Sequence, residues 1–199
     1  MSSAMMGFFE KLMTSKQLSF TEGKVELLEQ RVLFFPSDFF GLYTKEIIDD
    51  FNMVTTLYKS LKQNAIDGFG KKTLKSHGSS IIDYSKMIKD IANLSGWGNI
   101  AFESFDEYNK HSIIIIEDSP IGSYLQGKVK TPCDHILRGL IAGYGAVAFE
   151  HDVDAIEIEC TALGSAKCKI VVDSPENLKI KFPEYYKMQI ENEEAGDLF

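Results

Sequence analysis

Several features that define large classes of proteins are missing from this sequence. No apolar run approaches the roughly 20 residues that a membrane-spanning helix needs. The opening stretch MSSAMMGFFEKLM lacks the basic start and the cleavage pattern of a secretory signal peptide. We therefore expect a cytoplasmic protein. The three cysteines are odd in number and too few for a disulfide framework, and a reducing compartment leaves thiols available for a metal or for packing.

Positive charge is also scarce. The chain has 21 lysines and arginines against 29 aspartates and glutamates, a net charge of -8. Such an excess disfavours contact with nucleic acid or with anionic lipid headgroups, so we expect neither as a partner. One basic cluster lacks a recognition helix and interleaved aromatic residues, which is typical of a solvated helix face. It comprises Lys59, Lys62, Lys71, Lys72, Lys75 and His77.

Signatures of catalysis are absent as well. The sequence has no nucleophile elbow, no H-E-x-x-H and no G-x-G-x-x-G, and GFGKKT lacks the spacing of a phosphate loop. No motif for a flavin or a nicotinamide cofactor is visible. These absences favour a binding protein over an enzyme.

What the sequence does contain is typical of a globular domain, because hydrophobic residues make up 44% and charged residues 25% of the 199 positions. At its start, the apolar spacing of residues 7–13 predicts a short amphipathic helix, and the Glu22–Gly23 turn predicts a hairpin over residues 17–35. Phe8, Phe9 and Leu12 require burial, which a partner subunit or the domain itself could supply, and a symmetric interface is the commonest solution. We therefore expect residues 1–35 to form an arm that contributes to a homodimer.

In the segments after the arm, the apolar residues recur at helical spacing. Residues 36–66 predict a long or kinked helix with Ser37 or Asp38 as its cap, and a second helix capped by Ser79 or Ser80 ends at Gly96. A third helix, with Thr131 as the N-cap and Pro132 in the first turn, is predicted later in the chain.

Two predicted hairpins alternate with these helices. The pattern from Asn99 onward predicts two strands joined near residues 108–110, and the four consecutive isoleucines of the second indicate a central strand. The stretch IEIECTALGSAKCKIVV, residues 156–172, predicts a closing hairpin. This order predicts an α+β fold, an antiparallel sheet with helices packed on one side. We assign residues 36–183 to this domain and 184–199 to an acidic tail.

The closing hairpin places two cysteines face to face. Across a turn centred on Gly164, Cys160 and Cys168 are close enough for a disulfide or for two ligands of one metal ion. Cys133, at the predicted helix start, is a possible third ligand because the helix dipole favours a thiolate. Buried thiols without a metal are the simplest alternative.

The fourth ligand stays open on spacing alone. Glu157, Glu159 and His135 are the candidates. In a regular strand Glu157 and Cys160 point to opposite faces, whereas a bulge or a strand end between them would bring both to one side.

The segments TPCDHILRGLIAGYGAVAF and IEIECTALGSAKCKIVV together resemble the 4-vinyl reductase domain family. This family is related to sensory domains of phenol-responsive and toluene-responsive activators and, more distantly, to lipid-binding TRAPP subunits. The resemblance covers residues 111–173 and rests on the pair Ser119–Pro120, on Cys133, on the small residues of the helix and on the final E-x-x-C-x-x-x-G-x-x-x-C. The N-terminal half is similar only in outline.

The resemblance implies a structural zinc ion held by Cys133, Glu157, Cys160 and Cys168. Four protein ligands leave no position for water, so no catalysis is expected at this ion. His135 is expected to be exposed to solvent, or otherwise to hydrogen-bond one of the ligands.

The resemblance also implies a pocket between helices and sheet for a small apolar or aromatic molecule, although aromatic residues at such spacings are core in most proteins. The candidate lining is Tyr43, Phe51, Trp97, Phe102, His111, Ile114, Ile116 and Tyr144. Three functions are consistent with these features. The first is a sensor-like binding domain, the second an accessory protein or reductase acting on tetrapyrrole vinyl groups, and the third an interaction scaffold with a buried lipid.

Overall fold

The computed structural model describes residues 3–71 and 80–191 of the chain. Within these ranges, eight α-helices flank two antiparallel sheets, which confirms the predicted α+β class. The helices are α1 (Ser3–Thr14), α2 (Ser37–Ile47), α3 (Phe51–Ala65), α4 (Ile81–Leu94), α5 (Pro120–Tyr124), α6 (His135–Phe149), α7 (Pro175–Lys181) and α8 (Pro183–Gln189). The strands are β1 (Leu18–Thr21), β2 (Lys24–Leu27), β3 (Gln30–Val32), β4 (Asn99–Asp106), β5 (His111–Glu117), β6 (Asp154–Glu159) and β7 (Cys168–Asp173). None of the described helices is long and apolar enough to span a membrane.

The main sheet has the strand order β4-β5-β7-β6, with every neighbouring pair antiparallel. Strand β5, which carries the four isoleucines, is internal to the sheet, as predicted. Ile114 and Ile116 point into the central core, which α6 covers from one face. β-Branched residues suit such a position because they pack densely on a pleated surface.

The N-terminal arm contains one strand more than the predicted hairpin. Thr21 and Lys24 pair across the Glu22–Gly23 turn as predicted, and β3 then adds to β2 within residues 18–32. Helix α1 packs on α4 and β1 of its own chain, and Leu12 is only 2% exposed. Burial of Leu12 therefore needs no second subunit.

The long predicted helix is divided into α2 and α3. Asp50 adopts an extended backbone conformation between them, and its carboxylate accepts a hydrogen bond from the Met53 N–H. Neither Ser37 nor Asp38 caps α2, because Pro36 occupies the cap position and no side chain hydrogen-bonds the helix start. Ser80 caps α4 as predicted, through the Asp83 N–H, and the alternative cap Ser79 lies outside the described residues.

Helix α6 begins later than predicted. It starts at His135, so Thr131 and Pro132 lie outside the helix and Cys133 precedes its first turn. The reason is tertiary: the Asp134 N–H donates to Glu157 Oε2 (3.0 Å), and Ser119 donates to the Asp134 carboxylate (3.0 Å). These contacts hold the chain before the helix against β6 and α5.

The C-terminal helices differ from two expectations. We expected helices on one side of the sheet only, and we expected a tail from residue 184 onward. Ile156 and Val171 point away from α6 and pack on Leu178 and Tyr186 of α7 and α8, on the opposite face. Strands β6 and β7 are apolar on both faces, so the second face also has to be covered. Residues 184–189 belong to α8, and 192–199 lie outside the described residues.

Two glycines set the distance between α3 and α6. A Cβ atom at Gly139 would lie 2.7 Å from the Tyr58 carbonyl oxygen, and one at Gly143 would overlap the Lys62 carbonyl oxygen. The two helix backbones can approach this closely only because neither residue has a side chain.

We predict that Gly143→Ala destabilises the fold by about 1–3 kcal/mol, because the added methyl group forces α3 and α6 apart. Gly7→Ala is the matched control. Gly7 lies inside α1 with no atom within 4 Å of an added Cβ, so alanine should leave stability unchanged or raise it by about 0.5–1 kcal/mol. Urea unfolding measures both variants. Equal effects of the two substitutions would contradict this role of Gly143.

Candidate functional site

A buried cluster of thiols and one carboxylate lies where the β6–β7 hairpin meets the start of α6. The ligand atoms of Glu157, Cys160 and Cys168 all lie within 4.8 Å of one another, so this group could hold a metal ion. Cys133 Sγ is 3.7 Å from Cys160 Sγ. All three cysteines are free, and none of the four side chains is more than 1% exposed.

A β-bulge brings Glu157 and Cys160 together. The register passes from Glu157 opposite Ile170 to Glu159 opposite Lys169, so β6 has one residue more than its partner strand over this stretch. This is the irregularity that the two residues require in order to share a face. Glu159 instead forms an ion pair with Lys169 (3.5 Å), with its side chain 40% exposed.

Glu157, Cys160 and Cys168 are close enough to share one metal ion, and Cys133 lies next to this group without belonging to it. Two sulfur atoms bound to one tetrahedral zinc at about 2.3 Å lie roughly 3.8 Å apart, close to the 3.7 Å between Cys133 and Cys160. Glu157 Oε2 accepts the Asp134 N–H, but Oε1 is buried without a hydrogen-bond partner among the described residues. A buried carboxylate oxygen without a hydrogen-bond partner is unfavourable, and a bound metal ion would supply the missing partner.

Burial also changes the protonation of the cluster. Burial, reinforced by the nearby Asp134, raises the pKa of Glu157 to about 7. Hydrogen bonding to a neighbouring thiol and burial raise the pKa of both Cys160 and Cys168. Without a cation the cluster therefore favours protonated groups, and a bound dication would reverse that preference.

Polar residues that the sequence analysis did not single out surround the cluster. The Gln189 side chain donates to the Glu157 carbonyl (2.8 Å) and accepts from the Glu157 N–H (2.9 Å), which fixes the bulge. Arg138 is fully buried and lies 2.9 Å from His135 Nδ1. His135 itself is 4% exposed, so the expectation that it faces solvent is wrong. Arg138 could have been noticed as a charge inside an apolar helix, whereas no sequence signal marks Gln189.

A second feature, a cavity of about 280 Å³, lies between α4, α6 and the inner face of the sheet. Strands β2 and β3 of the arm also contribute to its wall, through Leu27, Gln30 and Val32. Four of the eight residues suggested for a pocket line it, namely Trp97, Phe102, Ile114 and Tyr144. Lining residues outside that set include Tyr84, Ile88, Ala92, Leu137, Leu140 and Ile141.

The other four suggested residues do not line this cavity. Tyr43 is 40% exposed on α2, and Phe51 begins α3. His111 Nδ1 lies 3.1 Å from Asp173 Oδ2, the partner that a half-buried imidazole needs. Ile116 pairs with Cys168 on one side and with Ile100 on the other, and of these three residues only Ile100 lines the cavity. Alternation correctly groups Ile114 and Ile116 on one face, but it cannot show where along the strand the space opens.

The size and polarity of the cavity restrict what it can hold. A cavity of about 150 Å³ accommodates benzene, so 280 Å³ has room for a substituted aromatic ring. Lys89 is the only charged residue in the described lining, and it is paired with Asp90 at 2.9 Å. The Tyr84 hydroxyl is buried and has no partner within residues 3–71 and 80–191. An uncharged ligand with few polar groups is the kind that such a cavity suits.

Comparisons with known proteins identify the fold of this chain. No family model matches the sequence, and no curated protein matches it significantly. The phenol-responsive sensory domain of the transcription activator PoxR, solved with phenol, matches with a TM-score of 0.72 and 20% identity, over 88% of this chain and 92% of that chain. This chain therefore has the fold of that sensory domain.

Two further structures extend the comparison. Trafficking protein particle complex subunit 3 from Naegleria fowleri, covalently bound to palmitic acid, matches with a TM-score of 0.50 and 16% identity, over 69% of this chain and 91% of that chain. A vinyl-4-reductase family protein from Methanocaldococcus jannaschii matches with a TM-score of 0.47 and 20% identity, over 71% and 83% of the two chains. Of these matches, the one to the phenol-responsive sensory domain confirms the resemblance at the level of the fold.

Proposed function

We propose that this chain is a non-catalytic, sensor-like domain that binds a small apolar or aromatic molecule in the cavity between α4, α6 and the sheet. The observation that carries the proposal is the cavity itself, about 280 Å³ and lined mainly by apolar side chains. Its support is the fold, which is shared with a domain solved with phenol. The alternative reductase would need a hydride donor, for which the sequence has no motif.

A structural zinc ion is the second part of the proposal. Cys133, Glu157, Cys160 and Cys168 supply three thiolates and one carboxylate, a complete tetrahedral set. With all four positions occupied by protein, the ion acts on structure and not on a reaction. Through Cys133, which lies 3.7 Å from Cys160, the ion would link the β6–β7 hairpin to the start of α6, the helix whose next turns line the cavity.

The third part is a homodimer that involves the arm. Leu33, Phe34 and Phe35 follow β3 and are 70%, 78% and 52% exposed, and the exposed Phe39 ring packs at a tilt against Phe35 with the ring centroids 5.3 Å apart. A run of large apolar residues in water is typical of a surface that another protein covers. A second copy of the chain is the simplest occupant because the same surface then serves both subunits.

For the cavity, we predict that phenol and 2-naphthol bind the wild-type protein and that Ala92→Trp weakens binding at least tenfold, because the indole fills the space. Ala101→Trp, on the exposed face of β4, is the matched control and should bind normally. Isothermal titration calorimetry measures both. Absence of binding to the wild type, or equal binding by both variants, would contradict the proposal. A long acyl chain found with the purified protein by native mass spectrometry would instead favour the lipid-containing scaffold.

For the metal, we predict one zinc per chain in protein purified without chelators. Cys160→Ser should lose that zinc and lower the free energy of unfolding by about 3 kcal/mol or more. Zinc affinity should rise with pH between about 6 and 8, because Glu157, whose pKa is raised to about 7, and the thiols must release protons to bind the ion. Elemental analysis and chelator competition test both points. Identical melting of the wild type with and without a strong chelator would refute a structural metal.

For the dimer, we predict that the double variant Leu33→Ser, Phe34→Ser is monomeric under conditions in which the wild type is a dimer. Tyr108→Ser is the control, because Tyr108 is 91% exposed in the β4–β5 turn. Sedimentation equilibrium at micromolar concentrations distinguishes the two states. A monomeric wild type would exclude this interface.

A further inference from the structure

Arg138 is the only lysine or arginine that is buried in the described part of the chain. It lies on α6, one turn after Cys133 and Asp134. Its guanidinium donates to the Ala155 carbonyl (3.1 Å) and to the Gln189 carbonyl (3.4 Å), and it lies over the Tyr58 ring at 4.9 Å. All of these groups are neutral.

Among the described residues, this guanidinium has no direct anionic partner. Across residues 3–71 and 80–191, no carboxylate lies within ion-pair distance of it, and its Nε–H is buried without an acceptor. The nearby Asp154 carboxylate is taken by Lys62, Tyr58 and Tyr186. A buried cation in this state is strongly unfavourable unless negative charge lies close by.

The metal cluster supplies negative charge of the required kind. Three thiolates and one carboxylate around a dication leave an excess of two negative charges. Arg138 is connected to this cluster through Gln189, whose backbone accepts from Arg138 and whose side chain pairs with the Glu157 backbone. Burial lowers the pKa of Arg138, and the charges of Tyr58, Glu157, Asp154 and Asp134 oppose that shift.

We propose that Arg138 is the positioning residue of the zinc site: its fixed charge balances the anionic metal-ligand cluster, and its contact with Gln189 holds Glu157 in place. The inference rests on the proposed structural zinc. It assigns a role to a charge that apolar packing of α6 does not explain, and it makes zinc affinity depend on a residue that does not touch the ion.

The test compares charge with hydrogen bonding at the same position. Zinc dissociation constants are measured by competition with a chromophoric chelator, and circular dichroism verifies the fold of each variant. Arg138→Gln keeps hydrogen-bonding capacity without charge and should weaken zinc binding by about 10–100-fold. Arg138→Lys keeps the charge and should stay within about threefold of the wild type. Lys62→Gln, which removes a cation engaged by Asp152 and Asp154, is the matched control and should also stay within about threefold.

Three results would overturn the proposal: unchanged affinity in Arg138→Gln, equal losses in Arg138→Gln and Arg138→Lys, or an equal loss in Lys62→Gln. If Arg138→Gln does not fold, Arg138→Met replaces it, since its side chain needs no polar partners. A wild type that binds no zinc would overturn this inference together with the proposed zinc, while the proposal for the cavity would stand on its own test.

Discussion

Three buried thiols and one buried carboxylate lie close together where the β6–β7 hairpin contacts the start of α6. The local structure around them depends on the contacts that these groups make. The bulge in β6 turns Glu157 toward Cys160, and Gln189 holds the bulge by pairing with the Glu157 backbone. The Asp134 N–H donates to Glu157, so helix α6 starts only afterwards. Each of these irregularities would be costly alone, and together they produce one compact arrangement of potential metal ligands.

The cluster and the cavity share one helix. The start of α6 lies against the cluster, while Leu137, Leu140, Ile141 and Tyr144 of the same helix line the cavity. Gly139 and Gly143 let α3 approach α6 closely, so α3 also holds α6 in position. A metal that anchors the first turn of α6 would therefore define the position of one cavity wall. The proposed ion and the proposed ligand site are therefore coupled through α6.

Local sequence patterns predicted the features that are determined by neighbouring residues. The isoleucines of β5, the Glu22–Gly23 turn and the Ser80 cap are set by neighbouring residues, and each was predicted. The start of α6 was placed too early because Thr131 and Pro132 are good helix-start residues, yet Asp134 is held by a strand 23 positions away. The role of Gln189 was likewise not predictable from local sequence, because its partner Glu157 is 32 positions distant. For the cavity, alternation identified Ile114 but could not separate it from Ile116, since both share a face.

The clearest test of this account is the zinc K-edge X-ray absorption spectrum of the purified protein. The account predicts about three sulfur neighbours near 2.3 Å and one oxygen near 2.0 Å. A spectrum dominated by oxygen and nitrogen neighbours, or protein that contains no zinc at all, would contradict it.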